Sequence, residues 1–131
     1  MLYLSTTTEY GLNLLIALAK AQSRISLKEV ANKTGMPYRF LTKIAKPLIV
    51  AKLIKAKEGK NGGYSLSREP GKIRLKYILD SLDEPLSIAI CLSAKSCPLK
   101  KERNCKVKTV WTKIKRNIDK ELNRITLKDL I

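Results

Sequence analysis

The sequence predicts a mainly α fold: a winged helix-turn-helix domain with a two-stranded β wing, followed by a long C-terminal dimerisation helix. Three observations predict it. Apolar residues recur at helical spacing in three consecutive segments that end near residue 50. A Gly-rich stretch between two short strand-like runs follows them. Near the C-terminus, one long amphipathic segment carries a narrow apolar stripe, with too little chain after it to cover that stripe.

Each element has its own local signal. Residues 6–21 place Tyr10, Leu14, Ala17, Leu18 and Ala21 on one face, widened by Leu12, Leu15 and Ile16, which predicts a buried first helix. Ser26-Leu-Lys-Glu29 reads as a capping box opening a short helix through Lys33. Thr34-Gly35-Met36 makes a tight turn, and Pro37 takes a first-turn position where its missing amide costs nothing. Phe40, Leu41, Ile44, Leu48 and Ile49 form the apolar set of a third helix, which Pro47 is expected to kink or shorten. Two helices joined by a Gly-containing turn fit a helix-turn-helix over Ser26–Val50.

Leu53–Lys57 and Tyr64–Leu66 are strand candidates around Glu58–Gly63. Asn61-Gly62 is the hairpin signal, because both central residues of a tight hairpin turn require positive φ. The Gly-rich stretch is no phosphate-binding P-loop, since it lacks the Gly-Lys-Ser/Thr ending and opens no helix. Ile73–Leu82 predicts a fourth helix that stops before Pro85. From 107 to 125, Val107, Val110, Trp111, Ile114, Ile118, Leu122 and Ile125 line one face of a long helix, and a Leu127–Ile131 tail follows. The stripe at Val107, Trp111, Ile114, Ile118 and Leu122 is therefore expected to meet a second copy of the chain. The chain divides into a winged helix-turn-helix domain over 1–83, a cysteine-bearing loop over 84–106, and a dimerisation helix and tail over 107–131.

Composition narrows the function. Lys and Arg total 27 against 11 acids, a formal net charge of +16, which points to a polyanion, most simply double-stranded DNA. Aromatic residues are only 5% of the 131, too few for a stacking platform that would bind single strands. Histidine is absent and no nucleophile-and-base or paired-carboxylate arrangement is visible, so an enzyme is not expected. The longest apolar run, Leu14–Ala19, falls far short of the ~20 residues a membrane span needs. No basic segment precedes it, as a signal peptide would require, and Glu9 stands before it, so the expected location is cytoplasmic.

A recognition helix must offer polar side chains early and opposite its core face. Tyr38, Arg39, Thr42 and Lys43 alternate with Phe40, Leu41 and Ile44 in that way. Arg39 is suited to a bidentate contact with guanine, while Lys43 and Lys46 are better placed for phosphates. On the wing, Lys57, Lys60 and Asn61 would reach the adjacent minor groove.

The three cysteines, Cys91, Cys97 and Cys105, all lie in one irregular stretch with Cys-x5-Cys-x7-Cys spacing. Soft thiolates gathered in this way suit iron–sulfur clusters or zinc. Three thiolates leave a closed four-ligand site one short. With no histidine, the fourth ligand must be a carboxylate, a water, a backbone group or a residue from another subunit; Glu102 and Glu9 are the carboxylate candidates.

These features resemble the IscR/NsrR-type (Rrf) family of bacterial winged-helix repressors almost end to end. The resemblance rests on Tyr10–Ala19, Ser26–Ala31, Met36–Ile44, Gly59–Leu66 and the three cysteines. It implies a homodimer held by the long helix and bound to a palindromic operator. It also implies an iron–sulfur cluster (2Fe-2S or 4Fe-4S) on the cysteines, whose loss or redox change alters DNA affinity in response to nitric oxide, redox or iron status. In the nitric-oxide-sensing branch an acidic residue near the N-terminus of the other subunit completes the site, and Glu9, just before Tyr10, stands at that position. Departures are the x7 gap before Cys105, Glu58 where relatives carry a wing arginine, and Pro47. Two other readings remain: a winged-helix regulator sensing thiol oxidation or zinc without a cluster, and a basic RNA-binding protein.

Overall fold

The computed structural model describes residues 4–82, 88–89, 92 and 105–131. The first three helices follow the sequence pattern closely. α1 (Thr6–Ala21) starts at Ser5, whose hydroxyl accepts the Thr8 N–H at 3.3 Å, and buries Leu14, Leu15 and Leu18. α2 (Leu27–Thr34) is capped by Ser26, whose hydroxyl accepts the Glu29 N–H at 3.2 Å. The Glu29 carboxylate meanwhile lies 3.7 Å from the Lys33 ammonium one turn later. Gly35 ends α2 at φ 76°, a conformation that glycine adopts without strain.

α3 (Tyr38–Val50) has Pro37 at its N-cap, one position earlier than a first-turn proline. The helix runs through Pro47 to Val50, so the expected early stop does not occur. Pro47 removes one ladder donor, the N–H that would reach the carbonyl of exposed Lys43, while its own carbonyl still accepts the Ala51 N–H at 2.9 Å. Leu41, Ile44, Ala45 and Leu48 face inward.

β1 (Ile54–Lys57) and β2 (Gly63–Leu66) pair antiparallel from Ile54↔Leu66 to Lys57↔Gly63. The tight Asn-Gly turn expected from the sequence is not what closes this hairpin. Residues 58–62 connect the strands, and positive φ falls on Gly59 (104°) and Gly63 (139°) rather than on Asn61 and Gly62. Gly62 is needed for a different reason: a Cβ there would collide with the Lys57 carbonyl. An Ile25↔Tyr64 bridge fastens β2, near its turn end, to the segment after α1.

A short 3-10 turn (Pro70–Lys72) leads to α4 (Leu75–Ser81), which starts two residues later than the Ile73–Leu82 pattern suggests. Arg74 instead forms a bridge with Thr126, and the carbonyl of the buried Ile73 accepts the Leu127 N–H at 2.8 Å. α5 (Lys106–Arg124) spans about 28 Å at 1.5 Å per residue. A 3-10 turn (Leu127–Leu130) follows it, and Leu127 is fully buried in the same core as Leu14, Leu41 and Leu53. The tail therefore closes the hydrophobic core of the winged domain.

Candidate functional site

The outer face of α3 carries Tyr38, Arg39, Lys43 and Lys46, all exposed and opposite the buried Leu41, Ile44 and Leu48. Tyr10 of α1 meets Phe40 edge to face, with ring centroids 5.2 Å apart, beside the buried Leu41, Ile44, Ala45 and Leu48 that set the rotation of α3. Thr42 is half-buried and its hydroxyl donates to the Arg39 carbonyl at 2.7 Å, which leaves its oxygen lone pairs and methyl group for a ligand. No side chain caps the N-terminus of α3 and no acid lies in its first turn. Its free amides and the positive end of its dipole, next to Arg39, suit a phosphate. On the wing, Lys57 occupies the last strand pair, and Lys60 and Asn61 lie exposed in the connection beyond it, beside exposed Glu58.

Of the predicted sulfur ligands, Cys105 lies within the described residues; Cys91, Cys97 and Glu102 lie outside them. Cys105 is the N-cap of α5, half-buried, and its sulfur accepts the Lys108 N–H at 3.5 Å. One backbone donor and the N-terminus of α5 thus face the sulfur. Glu9 is exposed in the first turn of α1. Among the described residues its carboxylate makes no ion pair or hydrogen bond, leaving it open to an external ligand. No three potential metal-ligating side chains cluster among the described residues.

The apolar stripe of α5 divides in two. Towards its N-terminus Val107 (63% exposed), Val110 (55%), Trp111 (37%) and Ile114 (39%) face solvent. Further along, Ile118, Leu122 and Ile125 are half-buried, where α5 packs on α4. The attachment there is polar as well. Asp119 accepts from Lys115 at 2.7 Å and lies 3.9 Å from Lys76 of α4, which also bonds Asp80 at 3.1 Å. The Ile125 carbonyl accepts the Leu75 N–H at 2.9 Å.

This tether was not anticipated from the sequence, although one signal pointed to it. Thr126-x-x-Asp129 forms a reciprocal capping box, with the Thr126 N–H donating to the Asp129 carboxylate at 2.8 Å, and it seats Leu127. α5 thus has Cys105 at its head, an exposed apolar stripe below, and its foot held to the winged domain's core through Leu127.

Comparison with known proteins agrees with this architecture. A family model for Rrf2, described as an iron-dependent transcriptional regulator, matches residues 4–131. The HTH-type transcriptional regulator CymR of Bacillus subtilis (strain 168) is 33% identical over 129 residues, covering 97% of this chain and 88% of the relative. The solved structure of CymR (YrzC), the global cysteine regulator of B. subtilis, is similar with TM-score 0.78 at 30% identity, covering 99% of this chain and 96% of that one. T. potens IscR is similar with TM-score 0.77 at 30% identity, covering 98% and 85%. No helix among the described residues is long and apolar enough to cross a membrane. The chain belongs to the Rrf2 family of transcriptional regulators and is not an enzyme.

Proposed function

We propose that this protein is a homodimeric, DNA-binding transcriptional repressor whose operator affinity is set by an iron–sulfur cluster held on Cys91, Cys97, Cys105 and the partner subunit's Glu9. The observation that carries the reading is the seat of Cys105. It caps the helix whose exposed stripe at Val107, Trp111 and Ile114 calls for a second copy, and whose far end is locked into the winged domain through Leu127. The family description, iron-dependent transcriptional regulator, and the likeness to IscR support the cluster. A bound cluster would add the reactivity of its iron and sulfide towards nitric oxide and oxygen to that of the thiols themselves.

The protein's own residues transmit the state. With Glu9 of one protomer tied to the cysteine loop of the other, the two α3 helices hold one separation; without the tie they sample others. DNA then selects between the two arrangements. Arg39 reads a base edge in the major groove, Tyr38 and Thr42 lie beside it, and Lys43 and Lys46 clamp phosphates. Lys57, Lys60 and Asn61 lie against the minor groove.

The test uses a duplex selected from random sequence with the anaerobic protein. Cluster-loaded and iron-stripped dimers are expected to differ in affinity by about tenfold or more in matched salt, and equal affinities contradict the proposal. Glu9→Ala should leave the dimer intact while the visible absorption decays faster; unchanged decay rejects Glu9 as a ligand.

A second reading is favoured by one observation: the 33% identical relative is CymR, whose solved structure is described as that of a global cysteine regulator. In that reading the cysteines act as thiols or hold zinc. Colourless protein after strictly anaerobic purification supports it.

A further inference from the structure

An open cavity of about 480 Å³ belongs to neither α3 nor α5. It opens between the last turns of α1 and the strands of the wing. Buried Leu18 and half-buried Leu66 and Pro70 give it an apolar floor, and exposed Arg24, Lys55 and Arg68 stand around it. No carboxylate lines it. Among the described residues neither Arg24 nor Lys55 makes an ion pair, and the Arg68 guanidinium carbon lies 5.3 Å from the centre of the Tyr77 ring at one side.

An apolar floor with several charges of one sign around it, in a volume of this size, is compatible with a small ligand. A duplex does not suit it. DNA presents phosphates on a convex polar rod, and burying Leu18 and Leu66 against them gains nothing. We propose that this cavity binds a small organic anion, a carboxylate on a short apolar body, with its charge between Arg24 and Lys55 and its body over Leu18, Leu66 and Pro70. The walls belong to α1 and to the wing, so an occupant braces one against the other. The site stands independently of the cluster.

Octanoate is the probe, titrated into the full-length 15N-labelled protein at constant ionic strength, with acetate and octanol as controls. Saturable shifts are expected for amides of Leu18–Arg24, Lys55 and Ser65–Arg68, with neither acetate nor octanol saturating in the same range. Arg24→Gln with Lys55→Gln, both at exposed positions, should keep the folded spectrum and melting temperature but weaken octanoate about tenfold. The proposal is overturned by shifts confined to the Val107–Ile114 stripe, by acetate or octanol binding as tightly as octanoate, or by unchanged affinity in the double variant. A double variant that loses DNA affinity while octanoate never saturates assigns the cavity to nucleic acid and also overturns it.

Discussion

α1 and α5 are long helices of similar length, 16 and 19 residues, with opposite relations to the core. α1 buries Thr8, Gly11, Leu14, Leu15 and Leu18 within its own protomer, and a Cβ at Gly11 would lie 2.6 Å from Leu82. α5 buries no residue, although its apolar residues keep the same three-and-four spacing. Periodicity alone therefore does not distinguish a helix that completes a fold from one that leaves its apolar face exposed. What separates them in the structure is burial: the α1 face lies in the core and the first half of the α5 stripe faces solvent. The core residues of α1 lie under the other elements of the winged domain; the Val107–Ile114 stripe of α5 stays exposed, while the tail after α5 is fixed to the winged domain through Leu127.

The largest expected effect breaks the α1 side. Leu14→Ala removes a fully buried side chain and should cost about 3 kcal/mol in urea denaturation at fixed protein concentration. A loss below about 1 kcal/mol would mean that α1 does not own its core. Next, Trp111→Glu with Ile114→Glu should weaken dimerisation by about thirtyfold or more in sedimentation, leaving the far-UV spectrum unchanged. A dimer of undiminished affinity would show that the exposed stripe meets no second copy.

Lys43→Ala sharpens the contrast between reading and assembly. It should weaken every duplex by roughly 1 kcal/mol, lower the salt slope by about one, and leave the dimer alone. The smallest effect is expected at the joint between α4 and α5. Asp119→Asn removes a partly exposed carboxylate shared by Lys76 and Lys115, and should cost no more than about 1 kcal/mol. A larger loss would make that joint, rather than Leu127, the main fastening of α5.

Much of this architecture was legible because it rests on local chemistry. The α1 and α3 patterns, the Ser26 cap and the Gly35 stop all depend on residues within a few positions of one another, and the structure places them where the pattern does. Features that depend on distant partners were not legible. Ile73 looks helical in its own neighbourhood, yet it is extended because Leu127 pairs with it from the far end of the chain. The wing was anticipated but not its turn: Asn61-Gly62 is a strong local signal, while the register Lys57↔Gly63 moves positive φ to Gly59 and Gly63. Pro47 was expected to interrupt α3, but a single missing donor at a surface position is tolerated where Leu41, Ile44 and Leu48 hold the helix.

The candidate site divides similarly. The outward placement of Arg39, Lys43 and Lys46 follows from the period of α3 and is seen in the structure. The placement of Cys105 at a helix N-cap needed the structure, because only the start of α5 at Lys106 reveals it. Cys91 and Cys97 lie outside the described residues, and their part in the site rests on spacing and family resemblance.

The most direct test of the account is the iron, sulfide and visible absorption of the anaerobically purified dimer, compared with Cys105→Ser prepared in the same way. The account predicts iron and acid-labile sulfide with visible charge-transfer absorption in the parent, and their loss in the variant without loss of the dimer. A colourless parent free of iron and sulfide, or a variant that keeps both, would contradict it.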